Sequence, residues 1–422
     1  GRVQPSDGNH LEESGGDGGM KWEKVKLGDI CKYVTSGGTP KSSIKEYYEP
    51  KQIPWLKTKE VNYCRIYETE SYISKDGLDN SSAKMIPQNS VIVAMYGQGD
   101  TAGRVAINKI PLTTNQACCN LIIDETKAYY EFVYYQLVTL YEKMVSLKNG
   151  GAQPNLNAAI IKSMEIKLPS LKTQRYIADI LSAYDNLIEN NQKQIKLLEE
   201  ATQRLYKEWF VDLNFPGHEN TKIVDGVPEG WQYEKLGDLV KTTSGGTPSR
   251  RKSEYYVNGN IKWIKTKELN DRFIFETEEH ITEDAVKNSS AKVLPEGALI
   301  VAMYGATIGK IGITAAEMAC NQACCAFISF DDMISKEYLY CWLMDNREYL
   351  VSQGKGAAQS NLSQDMIRNF SLLCPDKKVI KIFTEIVTTM LENKRVLENK
   401  ILMLSEARDD LLPKLMSGEV EV

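Results

Sequence analysis

The stretch TQRYIADILSAYDNLIENNQKQIKLLEEATQRLYKEWF, residues 173–210, holds neither Gly nor Pro and decides the architecture. Positions return in it at seven-residue steps: Ile177, Tyr184, Asn191, Leu198 and Leu205 form one column, flanked by Leu181, Ile188, Ile195 and Trp209. A seven-residue period without helix breakers predicts a long helix carrying a packing seam. The pattern comes back 206 residues later as Phe383, Met390, Leu397, Leu404 and Leu411. Two matching seams are expected to pack on each other. At ~1.5 Å per residue each helix is about 55 Å long, well beyond an ordinary globular helix, so the pair reads as a spacer between two other bodies.

Outward from the helices, the chain is a tandem duplication. Trp22 with KLGDI (26–30) returns as Trp231 with KLGDL (235–239), and TSGGTP at 35–40 returns unchanged at 243–248. EYY (46–48), IPWLKTKE (53–60), SSAK (81–84) and VIVAMYG (91–97) recur at an offset of 208 as EYY, IKWIKTKE, SSAK and LIVAMYG. After a two-residue loss the offset becomes 206, matching NQACC (115–119) to 321–325 and GGAQPNL (150–156) to GAAQSNL (356–362). The repeating unit is one globular body followed by one long helix. Within a body, 90–95, 121–124 and 164–168 read as strands and 129–147 as one helix, which predicts an α+β domain with its loops gathered on one side. The expected boundaries are a tag at 1–19, a first body at 20–169, a helix at 170–212, a linker at 213–230, a second body at 231–375 and a helix at 376–417. The polar, Gly-rich residues 1–19 are excluded from fold reasoning.

Composition narrows the class further. The 422 residues are 42% hydrophobic and 25% charged, which fits two or three water-soluble domains. No apolar run reaches the ~20 residues of a membrane span and no secretory signal opens the sequence, so a cytoplasmic protein is expected. Nine cysteines without CxxC spacing point to reduced thiols, and three histidines leave little for a histidine base or metal centre. Net charge is -5, but residues 20–169 carry 19 Lys+Arg against 15 Asp+Glu while 229–375 carry 16 against 19. Any phosphate-binding face is therefore local, or shared with a partner.

Catalytic constellations are missing from the sequence: there is no GxxxxGK[ST], no Gly-rich dinucleotide fingerprint, no Asn/Asp-Pro-Pro-aromatic loop, and no clustered carboxylates for magnesium. What recurs is a set suited to a polyanion. In the first body it comprises Ser36, Gly38, Thr39, Lys57, Thr58, Lys59, Ser81, Ser82, Lys84, Tyr96, Arg104, Asn115 and Gln116. In the second it comprises Ser244, Gly246, Thr247, Arg250, Arg251, Lys265, Thr266, Lys267, Ser289, Ser290, Lys292, Tyr304, Lys310, Asn321 and Gln322. Hydroxyls and turn N–H groups suit phosphate oxygens; Lys, Arg, Asn and Gln also suit base edges. The same residues have plainer uses: Trp55 and Trp263 as core, the paired glycines as turns, Lys57/Lys59 and Lys265/Lys267 as a solvated strand face, and Asn-Gln as a loop cap.

The order body, helix, body, helix resembles the specificity subunits of type I restriction–modification systems. So do SGGTP…EYY…IPW, SSAK…P, MYG…TAG, NQA, GGAQ…L, KLPSLKTQRYIADIL and the connection from Trp209 to Trp231. The resemblance implies two target-recognition domains separated by two long helices packed as an antiparallel coiled coil, with pseudo-two-fold symmetry. It further implies a non-catalytic subunit that reads a bipartite DNA target. Its partners would be two methyltransferase subunits, which carry S-adenosylmethionine for adenine methylation, and restriction/translocase subunits. One departure is PDKKVIKIF (375–383), which lacks the LPxLxxQ pattern of 168–174. Because the bodies are close copies, the half-sites are expected to form an approximate inverted repeat, with differences mapping to 61–73 against 269–281 and 98–102 against 306–308. The alternatives are a specificity subunit of a related type II system and a coiled-coil adaptor that binds protein rather than DNA.

Overall fold

The computed structural model describes residues 22–147, 155–354 and 361–420. The expected tag at 1–19 and most of the GGAQPNL and GAAQSNL motifs lie outside the described residues. The chain divides into two units, Gly1–Asn186 with Ser405–Val422, and Leu187–Leu404. Each unit contains one body and a portion of each long helix.

In the first unit a five-stranded sheet runs in the order Cys31–Ser36, Cys118–Ile123, Val91–Ala94, Val105–Asn108, Cys64–Ile66. Its pairings are antiparallel except the last, which is parallel. The runs VIVA and VAIN are buried on both faces, which explains why they read as continuous apolar strings rather than alternating ones. Val91, Val93, Val105, Ile107, Cys119 and Leu121 face the helices, with Phe132, Leu137 and Ile177. Ile92, Ala94, Ala106, Cys118 and Ile122 face the other way, onto Leu56, Ile86 and Leu112. Those last three belong to a four-stranded sheet ordered Tyr72–Ile73, Ile53–Leu56, Leu112–Thr114, Met85–Ile86. The period-2 geometry of a strand thus splits one apolar run between two cores.

The second unit repeats the topology. Its five-stranded order is Val240–Ser244, Cys324–Phe330, Leu299–Ala302, Ile311–Thr314, Arg272–Ile274, and its four-stranded order is His280–Ile281, Ile261–Ile264, Met318–Cys320, Val293–Leu294. In both, an antiparallel strand pair (Glu23–Lys26 with Glu165–Leu168; Gln232–Lys235 with Ser371–Cys374) leads to a long helix. The expected linker at 213–230 has structure of its own: a hairpin of Ile223–Val224 and Val227–Pro228, with Phe215 and Trp231 buried 4.7 Å apart in the second core.

The long helices span Leu171–Tyr206, continued by a π-helical turn at Lys207–Val211, and Lys377–Ser417. Within the second unit Glu199 pairs with Lys394 at 2.7 Å and Thr202 Oγ1 lies 3.3 Å from Met390 Sδ. Within the first, Asp185 pairs with Arg408 at 2.6 Å, and Ile177, Ala178 and Leu181 share a core with Leu412, Leu415 and Met416. Residue numbers rise along one helix as they fall along the other, so the pairing in each unit is antiparallel.

Two sequence expectations need correction. The column Ile177, Tyr184, Asn191, Leu198, Leu205 is not the most buried one: Tyr184, Leu198 and Leu205 are only half-buried, whereas Leu181, Ile188, Ile195, Thr202 and Trp209 are buried throughout. In the second helix Phe383 is buried, but Met390, Leu397, Leu404 and Leu411 are half-buried, and the deepest positions near them include the charged Lys394 and Glu398. The helices face a globular body as well as each other, which shifts the buried stripe off a two-helix seam. The single helix expected at 129–147 is two, Tyr130–Thr139 and Tyr141–Ser146, broken at Leu140. The break turns Tyr141 away to donate to the Asp100 carbonyl at 2.9 Å and to pack edge-on against Tyr63. The missing LPxLxxQ pattern also has a local reason. Gln174 is buried, accepting from Tyr129 N–H at 2.8 Å and donating to the Pro169 carbonyl at 2.9 Å, while its counterpart Ile380 joins the apolar core.

Candidate nucleic-acid interface

Three loops far apart in sequence meet on each body. In the first, Gly38 N–H donates to the Thr114 carbonyl at 2.9 Å, Trp55 Nε1 donates to the Gly38 carbonyl at 3.0 Å, and Asn115 N–H donates to the Leu56 carbonyl at 2.9 Å. Thr39 Oγ1 donates to Gln116 Oε1. In the second, Gly246, Trp263, Asn321 and the pair Thr247–Gln322 make the same four bonds. TSGGTP, the IPW/IKW strand and NQA are thereby locked together twice.

The glycines serve close approach rather than a left-handed turn. A Cβ on Gly37 would collide with the Thr114 and Asn115 carbonyls, and one on Gly38 with Ser82 and the Ala83 amide; Gly245 and Gly246 meet Cys320, Asn321, Ser290 and Ala291 in the same way. This contact brings the SSAK loop to the other three segments. Thr39, Ser82, Lys84 and Gln116 are exposed around the junction, as are Thr247, Arg250, Arg251, Ser290, Lys292 and Gln322. Ser36, Ser81, Asn115, Ser244, Ser289 and Asn321 sit half-buried beneath them. Ser81 and Ser289 accept from the Ala83 and Ala291 amides, so these hydroxyls shape the loop from within.

The lysine segment is fixed by a glutamate outside the expected polyanion set. Glu60 accepts from Lys57 N–H at 3.1 Å and Glu70 N–H at 2.9 Å; Glu268 accepts from Lys265 N–H at 2.6 Å and Glu278 N–H at 2.8 Å. Repetition of TKE in both bodies was the available signal. Thr58 is buried and Thr266 half-buried at this turn, and the Thr266 carbonyl accepts from Thr307, which brings the second MYG loop alongside. Lys57 lies 5.0 Å from the Trp55 ring centre. Lys59 pairs with Glu70, and Lys265 with Glu279 at 2.6 Å and Glu278 at 3.3 Å; Lys267 also pairs with Glu278. Hydrogen bonds from Arg250 and Lys265 pull the Glu279 carboxyl down to about 2, and the Glu279 and Glu278 carboxylates in turn raise Lys265.

Other sequence candidates lie apart from this junction. Tyr96 and Tyr304 are half-buried and pack against the helix-side cores, which favours their packing role. Arg104 donates to Asn62 at 2.9 Å and to Asp100 at 2.5 Å, clamping its own loop. Lys310 pairs with Asp271 at 2.7 Å, and Arg347 joins from the other side at 2.5 Å. Burial pushes Asp271 up, but Lys310, Arg347 and the Ile311 N–H outweigh it and hold the carboxyl below its ordinary value.

The divergent segment 61–73 against 269–281 divides in two. Its first part faces the scaffold: Arg65 donates to Asn186 at 2.5 Å, Tyr63 packs on Tyr141, Phe273 N–H donates to Glu398 at 2.8 Å, and the Asp271 carbonyl accepts from Lys394. Only its second part, Glu70–Tyr72 and Glu278–His280, adjoins the lysine segment. Much of the divergence therefore follows different helix contacts. Among the described residues no group of His, Cys, Asp and Glu could hold a metal ion, and no helix is long and apolar enough to cross a membrane. None of the nine cysteines is joined in a disulfide.

Comparison with known proteins agrees with this doubled arrangement. The sequence profile described as the type I restriction modification DNA specificity domain matches residues 20–200 and 228–403. The MjaIX type I restriction enzyme specificity subunit of Methanocaldococcus jannaschii is 30% identical over 412 residues, covering 95% of this chain and 94% of that protein. The HindI specificity subunit of Haemophilus influenzae is 24% identical over 471 residues, covering 94% and 99%. Among solved structures, the S subunit of a type I restriction-modification system from M. genitalium shares the fold with a TM-score of 0.64 at 16% identity, covering 96% of this chain and 98% of that one. With two matched segments, one on each repeat, the chain belongs to the type I restriction modification DNA specificity family.

Proposed function

We propose that each body reads one half of a bipartite DNA target through its four-segment junction, and that the long helices set the number of unread base pairs between the halves. The observation that carries this reading is the junction itself, which gathers exposed hydroxyl, amide and cationic groups in register on both bodies. Thr39, Ser82 and Lys84, with Thr247, Ser290, Arg251 and Lys292, suit phosphate oxygens; Gln116 and Gln322 suit base edges, adenine above all. The helices, 36 and 41 residues long, correspond to about 54 and 62 Å at ~1.5 Å per residue, or one and a half to two turns of B-DNA.

Catalysis falls to partners in this reading. Methyltransferase subunits would bring S-adenosylmethionine and the adenine-methylating site, and restriction subunits would cut unmethylated DNA. The net charge of -5 supports a clamp completed by those partners. The two bodies' shared topology and junction bonds support an approximate inverted repeat. The test is genome-wide mapping of methylated adenine with the chain co-expressed with its methyltransferase. A bipartite motif is expected, and Gln116→Ala should relax only one half of it. A contiguous motif, or relaxation of both halves at once, contradicts the reading.

A further inference from the structure

Among the differences between the two junctions, one is a held arginine. In the second body Arg250 follows the TSGGTP turn with an exposed side chain (53%) that is nonetheless held on three sides. Its Nη1 lies 2.5 Å from Glu279 Oε2, and its guanidinium carbon lies 4.3 Å from the Tyr256 ring centre and 5.1 Å from that of Trp263. Lys265 holds the other Glu279 oxygen at 2.6 Å. The first body keeps both rings, as Tyr48 and Trp55, and the lysine, as Lys57. In place of Arg250 and Glu279 it has Ser42 and Ser71.

Holding a long exposed side chain still costs rotamer entropy, and a surface ion pair returns little of it. The arrangement gains meaning if the fixed guanidinium meets a ligand. Among the described hydrogen bonds only Nη1 is engaged, so a planar edge with further donors remains. Such a pre-oriented fork suits two acceptors side by side, the pattern that guanine shows as O6 and N7 in the major groove.

We propose that Arg250, buttressed by Glu279, reads a guanine in the half-site of the second body, at a position where the first body imposes no such requirement. The inference rests on the reading that the junctions face DNA. It makes the inverted repeat imperfect at one base pair and assigns the difference to two residues. Arg250→Lys keeps the charge, and with it any phosphate contact, but loses the fork. Ser42→Arg with Ser71→Glu transfers the pair to the first body.

The experiment is methylated-adenine mapping with the full chain co-expressed with its methyltransferase, for wild type, R250K, E279Q and the double transplant, each checked for melting temperature. In wild type one guanine should distinguish the second half-site from the first. R250K should lower discrimination at that base pair roughly ten- to hundredfold and leave every other position unchanged. E279Q should lower it less. The transplant should create a guanine requirement at the mirrored position of the first half-site. Identical half-sites in wild type, uniform weakening at all targets in R250K, or an unchanged first half-site in the transplant each overturns the proposal. Loss of melting cooperativity in R250K, with an unchanged motif in the transplant, would make Arg250 a structural clasp and overturn it too. Failure of the bipartite reading would look different, as a wild-type motif that is not in two parts.

Discussion

Replacing Lys394 with Met should be the most damaging single change in the second unit. Lys394 is 2% exposed, and its Nζ donates to the Asp271 carbonyl at 2.6 Å, pairs with Glu199 at 2.7 Å, and lies 3.8 Å from Glu398 and 3.3 Å from the Tyr340 hydroxyl. Burial disfavours the ammonium, but Tyr340, Glu398 and Glu199 outweigh it and raise its pKa, so the charge persists at neutral pH. Met fills the same volume and removes only the charge and its hydrogen bonds. It takes from buried Glu398 its nearest cation and from the Asp271 carbonyl this donor. Removing one member of a buried ionic cluster costs about 3–5 kcal/mol. For a unit of this size that corresponds to a fall in melting temperature of roughly 6–20 °C, at ~2–4 °C per kcal/mol. The sign of the pH dependence is also fixed. Burial raises Glu398, partly offset by Lys394, so protonating it favours the folded state. Its contribution is fully present below the unfolded value of about 4.3 and is lost as pH rises through the higher folded value. The K394M penalty should therefore be smaller at pH 5 than at pH 7.5. Thermal unfolding followed by circular dichroism at the two pH values measures this. A fall of under about 2 °C, or an equal fall at both values, would refute the account.

Three further outcomes follow from the junctions. Gly246→Ala should destabilise by about 1–3 kcal/mol, because the added methyl meets Ser290 and the Ala291 amide; a melting curve matching wild type would show that the SSAK loop yields freely. Glu60→Ala leaves the Lys57 and Glu70 amides without their acceptor, and should cost about 1–3 kcal/mol while speeding hydrogen exchange at those two amides and not at 265 or 278. Arg250 and Lys265 lower the Glu279 carboxyl to about 2, so its stabilisation is present above the unfolded value and is lost as pH falls toward 2; E279Q should flatten that acid limb, as acid titration of the circular dichroism signal would reveal.

The duplication and the two long helices were legible because repetition and heptad spacing are properties of order along the chain. TSGGTP and NQACC stood out for the same reason, and their meeting in space follows from a glycine pair that admits two neighbouring backbones. Burial of the helices was harder to read. A stripe shared between a helix partner and a globular body spreads over two heptad columns, and a buried Lys394 looks in sequence like any surface lysine. The role of Glu60 and Glu268 was hidden because a carboxylate that accepts only backbone N–H groups leaves no partner residue to recognise. Residues 61–73 divide in a way that order along the chain does not show: divergence at Arg65/Phe273 follows helix contacts at Asn186 and Glu398, whereas Ser71/Glu279 lies beside the lysine segment.

The ion pairs Asp185–Arg408 and Glu199–Lys394 are not copied between the repeats. At the 206 offset their counterparts are Leu391 with Thr202, and Ser405 with Ile188. Were Leu171–Tyr206 of one molecule to wind onto the same helix of another in this register, Asp185 would meet Thr202 and Glu199 would meet Ile188. The like pairing of Lys377–Ser417 would set Arg408 against Leu391 and Lys394 against Ser405. Each of the four charges would lose its partner on the facing helix. A gene that arose by copying itself has thereby acquired a pairing code that favours unlike helices over like ones.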